Sequence, residues 1–236
     1  MLFRSLRTFF EKTDKDTSVY FRDKKICSCG KKYRDYQGKY PVIFITFKDV
    51  KFDSWEKTFE AIRELFTKEA YRHIELRTSK QCDDYDKKIF ERFLAGDMNE
   101  VELSGALMNM SRMLHKHYGV APIIIIDEYD IPIQQGYMKN YYDKVILLMR
   151  NLFSGGFKDN KHLSYGFLTG ILRPGRCPPA SGRCCLGAGP PRRPCGRPAP
   201  SGPAPAPVFI IYTDYDELLY IVWRLGESAF CGKQQY

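Results

Sequence analysis

The stretch IIIIDEYDIP, residues 123–132, sets four consecutive isoleucines against three carboxylates and a proline. Four β-branched residues with no polar alternation suit a central strand of a parallel sheet, because both faces of such a strand are buried. The run is far shorter than the roughly 18 to 20 apolar residues that span a bilayer. Asp127 and Glu128 then leave the strand at its carboxyl tip. Open parallel sheets bind their ligands outside that end.

Working outward, Pro41 introduces VIFITF, residues 42–47, a second buried strand, and LSYGFLTG, residues 163–170, reads as a third. Helical spacing links them. Trp55, Phe59, Ile62 and Phe66 recur at four, three and four; Ile89 and Phe93 mark a shorter helix; Leu103, Leu107, Met110 and Leu114 predict another that ends near Gly119. Tyr141, Val145, Leu148 and Leu152 predict a helix that stops at Ser154, Gly155 and Gly156. At the start, Leu2, Leu6 and Phe9, with Phe3 and Phe10, share one face of an amphipathic helix; two arginines before the first acid, Glu11, make a transit peptide the alternative. Strands alternating with helices predict an α/β fold with a parallel sheet covered on both faces.

The chain has 236 residues, 44% of them hydrophobic, enough for a sizeable core. No membrane partner is expected, and nothing in the sequence fixes an oligomeric state. Eight cysteines without a secretory signal point to a reduced, cytoplasmic protein. Cys27 and Cys29 form CxC with no second ligand pair at zinc spacing, and His115 and His117 fall on opposite sides of a helix.

The net charge of +9 is unevenly distributed. Residues 1–173 hold 30 of the 37 Lys and Arg and 24 of the 28 Asp and Glu, an excess of +6 in mixed-sign stretches. Lys24, Lys25, Lys31, Lys32 and Arg34, interleaved with Tyr33 and Tyr36, form a candidate contact for nucleic-acid phosphates. DYDKK at 84–88 reads as solvated charge on a helix rather than a nuclease constellation.

At Pro174 the composition changes. Residues 174–207 contain 11 of the 14 prolines and five arginines, with no lysine and no acid. Such a segment is expected to be disordered, as a Pro/Gly/Arg-rich linker or as out-of-frame sequence. Residues 208–236 follow as a short apolar segment of unknown origin, whose VFIIY run is a candidate to cover an edge of the sheet.

Two adjacent carboxylates at a strand tip are the equipment of a nucleotide hydrolase: one holds Mg²⁺ and one orients the attacking water. Thr169, at the tip of the strand one crossover later, is placed to bond a γ-phosphate or that water. Arg173 is within reach of phosphate oxygens. The phosphate cradle GxxxxGK[ST] is not in the sequence: Gly30-Lys31, Gly38-Lys39 and Gly232-Lys233 all lack the upstream glycine and the following Ser or Thr.

WEKTFEAIRELF, IIIIDEYDIPI, GYMKNYYDKVILLMRNLFSGGFKDN and LSYGFLTGILR, in this order, resemble the AAA-ATPase-like domain of bacterial P-loop ATPases that often carry a restriction-endonuclease-like nuclease domain. The resemblance covers residues 1–173. It implies a partial P-loop NTPase sheet that begins at the helix after the phosphate loop, without the first strand and the loop itself. It implies Asp127 for Mg²⁺, Glu128 as the catalytic residue, and Thr169, Arg173 and Asp130 in contact with ATP. Mg²⁺-dependent ATP hydrolysis is the implied ancestral role, with negligible activity expected of this chain alone. The alternative is a non-catalytic interaction or nucleic-acid-binding remnant.

Overall fold

The four isoleucines are divided between two cores, and that division sets the architecture. Ile124 and Ile126 belong to the large core and Ile123 and Ile125 to a smaller one on the other face, all four fully buried. A computed structural model describes residues 2–28, 31–158, 160–170, 208–213, 219–223 and 231–232.

The elements follow in chain order. Helix α1 (Leu2–Phe10) and the short α2 (Lys25–Ser28) and α3 (Lys31–Arg34) precede strand β1 (Val42–Thr46). Helices α4 (Trp55–Arg72), α5 (Asp84–Ala95), α6 (Glu100–Ser104) and α7 (Ala106–Tyr118) lead to β2 (Ile123–Asp127). Helices α8 (Ile131–Met138) and α9 (Tyr142–Phe157) lead to β3 (Tyr165–Gly170), and β4 (Val208–Thr213), β5 (Leu219–Trp223) and β6 (Cys231–Gly232) complete the sheet. The strand order is β1-β2-β3-β4-β5-β6, parallel from β1 to β4 and antiparallel beyond.

The fold is α/β, a parallel sheet flanked by helices, as expected for a partial P-loop NTPase. One face packs on α4, α5, α7 and α9 through Ile62, Phe66, Phe90, Leu107, Val145 and Leu152. The other lies under α1, where Phe3 meets Val42, Ile123 and Ile125. The VFIIY strand pairs in parallel with β3, from Gly166 opposite Val208 to Gly170 opposite Tyr212, so it covers the edge it was expected to cover. The expected disorder of 174–207 lies outside the described residues, as do Cys29 and Arg173.

Four details differ from the sequence reading. The helix expected around Leu103 to Leu114 is two helices, because Gly105 caps α6, whose start is fixed by reciprocal bonds between Asn99 and Glu102. Helix α8 went unread; Pro132 sits in its first turn, where proline is tolerated. DYDKK is not merely solvated: the Asp86 side chain is fully buried and bonds Arg112 at 2.9 Å and Lys116 at 2.6 Å. Helix α9 does not stop at its glycines but runs through both to Phe157.

Those two glycines have opposite surroundings. A Cβ at Gly156 would stand 2.7 Å from Leu107 Cδ1 and 2.9 Å from Leu107 Cβ, whereas at Gly155 nothing comes closer than 3.8 Å. Within a helix, Gly costs about 0.5–1 kcal/mol relative to Ala. Gly155→Ala is therefore expected to stabilise the protein by about that amount, and Gly156→Ala to destabilise it by about 1–3 kcal/mol through overpacking. Urea unfolding of the two variants checks this; equal effects of one sign would dismiss the packing account.

The outer edge of β1, with no strand on it among the described residues, is capped by side chains of α4 and of its C-cap, His73. Phe44 N donates to Glu69 Oε1 at 2.7 Å, Arg72 Nη2 donates to Val42 O, and His73 Nε2 lies 3.0 Å from the same carbonyl. Arg72 also pairs with Glu11, tying the end of α1 to α4. Burial alone lowers the His73 pKa, but bonds to Glu69 and Glu75 reverse this and hold it above its ordinary 6.5. Burial likewise raises Glu75, and bonds from His73, its own backbone and Tyr118 outweigh that, bringing it down to about 2.

The His73 contribution is complete below pH 6.5 and fades as pH rises through its raised folded value. The Glu75 contribution is complete above pH 4.5 and fades as pH falls through about 2. For this cluster, stability should peak between those limits. Urea midpoints across pH should decline above 6.5 in the native sequence and flatten there in His73→Gln; an unchanged slope in the variant would remove His73 from the explanation.

Candidate active site

Parallel strands end together, and here that places three predicted residues side by side. Asp127 closes β2 and Thr169 lies next to last in β3, the neighbouring strand. Thr169 is 2% exposed, and its Oγ1 donates to Asp127 Oδ1 at 2.7 Å. The same oxygen accepts from Glu128 N at 3.4 Å, while Tyr129 N donates to Thr169 O at 3.1 Å. On the opposite side, Phe47 N donates to Asp127 O at 2.9 Å. The turn after β2 is thus bonded to both neighbouring strands.

Two backbone features shape the turn. Glu128 has φ +53°, a left-handed conformation that costs a residue with a Cβ about 1–2 kcal/mol. A Cβ at Gly170 would stand 2.7 Å from Asp130 Oδ1 and 2.9 Å from Tyr129 Cε1, so glycine there lets the turn lie against the end of β3. Asp130 is buried and its Oδ2 accepts from Gln134 Nε2 at 2.8 Å. It braces the start of α8 beneath the other two acids.

The carboxyl of Glu128 is held above its ordinary value, first by burial and then by the Asp127 charge, with Lys48 and Lys51 opposing and Asp130 adding. The two lysines are the contribution that sequence reading missed. Their signal was FKDVK immediately after the β1 run, since a loop leaving β1 must emerge at the same end of the sheet as Asp127. Asp127 and Glu128 offer the hard oxygens that Mg²⁺ takes, and Thr169 orients one of them. Among the described residues no group of three or more His, Cys, Asp or Glu is placed to hold a metal unaided. Mg²⁺ commonly completes its shell from water and phosphate oxygens, so this donor set fits it.

The structure therefore brings Asp127, Glu128 and Thr169 together and sets Asp130 in the adjoining turn; Arg173 lies outside the described residues. The order of strands and this carboxylate–threonine tip coincide with a family match: the family model described as a predicted AAA-ATPase, of AAA-ATPase-like type, matches residues 1–175. The chain belongs to the AAA-ATPase-like family. No curated protein and no solved structure matches it. Among the described residues of this AAA-ATPase-like chain, no helix is long and apolar enough to cross a membrane.

The strain at Glu128 can be measured. Glu128→Gly and Glu128→Ala both remove the carboxylate, but only glycine occupies φ +53° freely. The glycine variant is expected to be more stable than the alanine variant by about 1 kcal/mol in urea unfolding. Equal stabilities would mean that the turn relaxes and stores nothing.

Proposed function

We propose that this site is the metal-and-water half of a centre for Mg²⁺-dependent ATP hydrolysis, and that the chain alone turns over ATP negligibly. Asp127 holds Mg²⁺, Glu128 orients the attacking water, and Thr169 contacts the γ-phosphate or that water; Arg173 and Asp130 contribute on the phosphate side. The bond from Thr169 Oγ1 to Asp127 Oδ1 carries the reading, because it joins the two strand tips into one polar cleft. The raised Glu128 carboxyl supports it, since a general base works best with a pKa nearer the operating pH. Bound Mg²⁺ would neutralise charge on the transferring phosphoryl group.

The proposed inactivity rests on physical grounds. Phosphoryl transfer is catalysed mainly by positioning and electrostatics, and the backbone NH groups and lysine of GxxxxGK[ST] do most of the gripping. That motif is not in the sequence. We assign the role to residues 1–173, set apart from the Pro/Gly/Arg-rich 174–207 and the apolar 208–236, in a protein of the reducing cytoplasm.

Two measurements test this. Phosphate release from MgATP should be negligible and equal in the native chain and Glu128→Gln; Mg²⁺-dependent release abolished by that change would overturn the inactivity. Mn²⁺, titrated by electron paramagnetic resonance as a probe of the cation site, should bind weakly, and Asp127→Asn should weaken it about tenfold or more. Binding unaffected by Asp127→Asn would remove the metal role from Asp127.

A further inference from the structure

We propose that a tyrosine-walled depression at the amino ends of the strands binds single-stranded nucleic acid, one base at a time on its rings and the backbone on its lysines. The depression measures about 530 Å³ and is lined by Lys31, Asp35, Tyr36, Lys39 and Tyr40. Tyr40 lies two residues before the start of β1 and Tyr165 opens β3, so the depression lies at the opposite end of the sheet from Asp127 and Thr169. A five-residue strand separates the two ends by about 15 Å. The inference does not depend on the hydrolytic reading.

Two rings line the depression and a third, Tyr165, packs against them. Tyr36 and Tyr40 lie nearly parallel, at 13° with centroids 6.3 Å apart, and Tyr165 meets both edge-on at 6.4 and 6.0 Å. The segment that carries them is pinned in advance. Gly38 N donates to Phe9 O, Tyr40 N to Phe10 O and Lys12 N to Tyr40 O, and Gly38 makes the turn in the left-handed region at φ +66°. A rigid platform binds without the entropy cost of ordering its side chains on arrival.

The charges point to an anionic, planar ligand. Neither Lys31 nor Lys39 is in an ion pair with a described residue, whereas Lys57, Lys68 and Lys116 each face an acid within 4 Å. Asp35 is the one acid of the lining among the described residues, and Arg22, Lys24 and Arg34 extend the exposed positive charge along the same segment. Ammonium groups with no acid partner among the described residues, beside half-buried aromatic faces, are what sequence-tolerant single-strand sites combine: stacking for the bases, cations for the phosphates. A duplex keeps its bases stacked on each other and cannot use the rings.

The test is fluorescence anisotropy of an end-labelled dT12 with the full chain. Two phosphate contacts give a single-strand salt slope near −1.4, about a sevenfold loss of affinity between 50 and 200 mM salt. Tyr36→Ala should weaken binding about tenfold and Tyr36→Phe should preserve it. The double change Lys31→Ala and Lys39→Ala should flatten the salt dependence. Should Tyr36→Ala fail to fold by circular dichroism, the lysine pair decides.

The proposal fails if dT12 does not bind, or if a duplex of the same length binds as tightly. It also fails if folded variants bind like the native chain, which would place the strand on the five arginines of residues 174–207.

Discussion

The structure depends on one strand having no exposed side. The four isoleucines of β2 are fully buried on both faces, and on both edges its backbone is hydrogen-bonded in register, to β1 from Val42 opposite Ile123 and to β3 from Tyr165 opposite Ile123. A buried backbone group without a partner costs about 1–3 kcal/mol, so a segment this apolar is stable here only as an interior strand. Everything else answers that constraint. Helices α4, α7 and α9 cover one face, α1 the other, and the polar tip is the one place where β2 meets water.

Enclosing β2 moves the problem outward to its neighbours, whose outer edges present unpaired NH and CO groups. The two edges are closed differently. At β3 the backbone of β4 supplies another ladder. At β1 no strand follows among the described residues, and α4 and its C-cap substitute side chains: Glu69 takes the NH of Phe44, while Arg72 and His73 take the carbonyl of Val42. Burying those ions is tolerable because each has several partners, Glu69 pairing with Arg72 and Arg72 with Glu11. The closed edge consequently carries titratable groups, and its stability is tied to pH.

Strands β1, β2 and β3 were legible in the sequence as short, β-rich apolar runs, and the long helices because their apolar spacing matches one core. What was not legible depended on which neighbour stood opposite. Gly155 and Gly156 look like a helix stop, yet the tight approach of Leu107 to Gly156 lets α9 continue, and sequence spacing carries no trace of that contact. Asp86 looks like a surface acid until Arg112 and Lys116, a helix away, converge on it. Edge capping by Glu69 was equally hidden, since an acid on a helix gives no sign of pointing at a strand. At the candidate site the acids were readable because their strand was, whereas Lys48 and Lys51 needed the parallel pairing of β1 with β2 to be seen as neighbours.

Adjacent carboxylates at a strand tip repel each other, and the turn resolves this by giving them unlike surroundings. Asp127 remains in line with its strand, where the Thr169 hydroxyl donates to it. Glu128 leaves the strand through a left-handed backbone, and burial and the Asp127 charge drive its carboxyl up. One acid thus accepts a bond from the neighbouring strand, and the other has its carboxyl held above the ordinary value. Backbone strain that keeps two like groups chemically distinct serves no purpose in packing, because a glycine at position 128 would make the same turn without it. The asymmetry is what a cleft needs if one carboxylate is to sit against a cation while the other exchanges a proton with water.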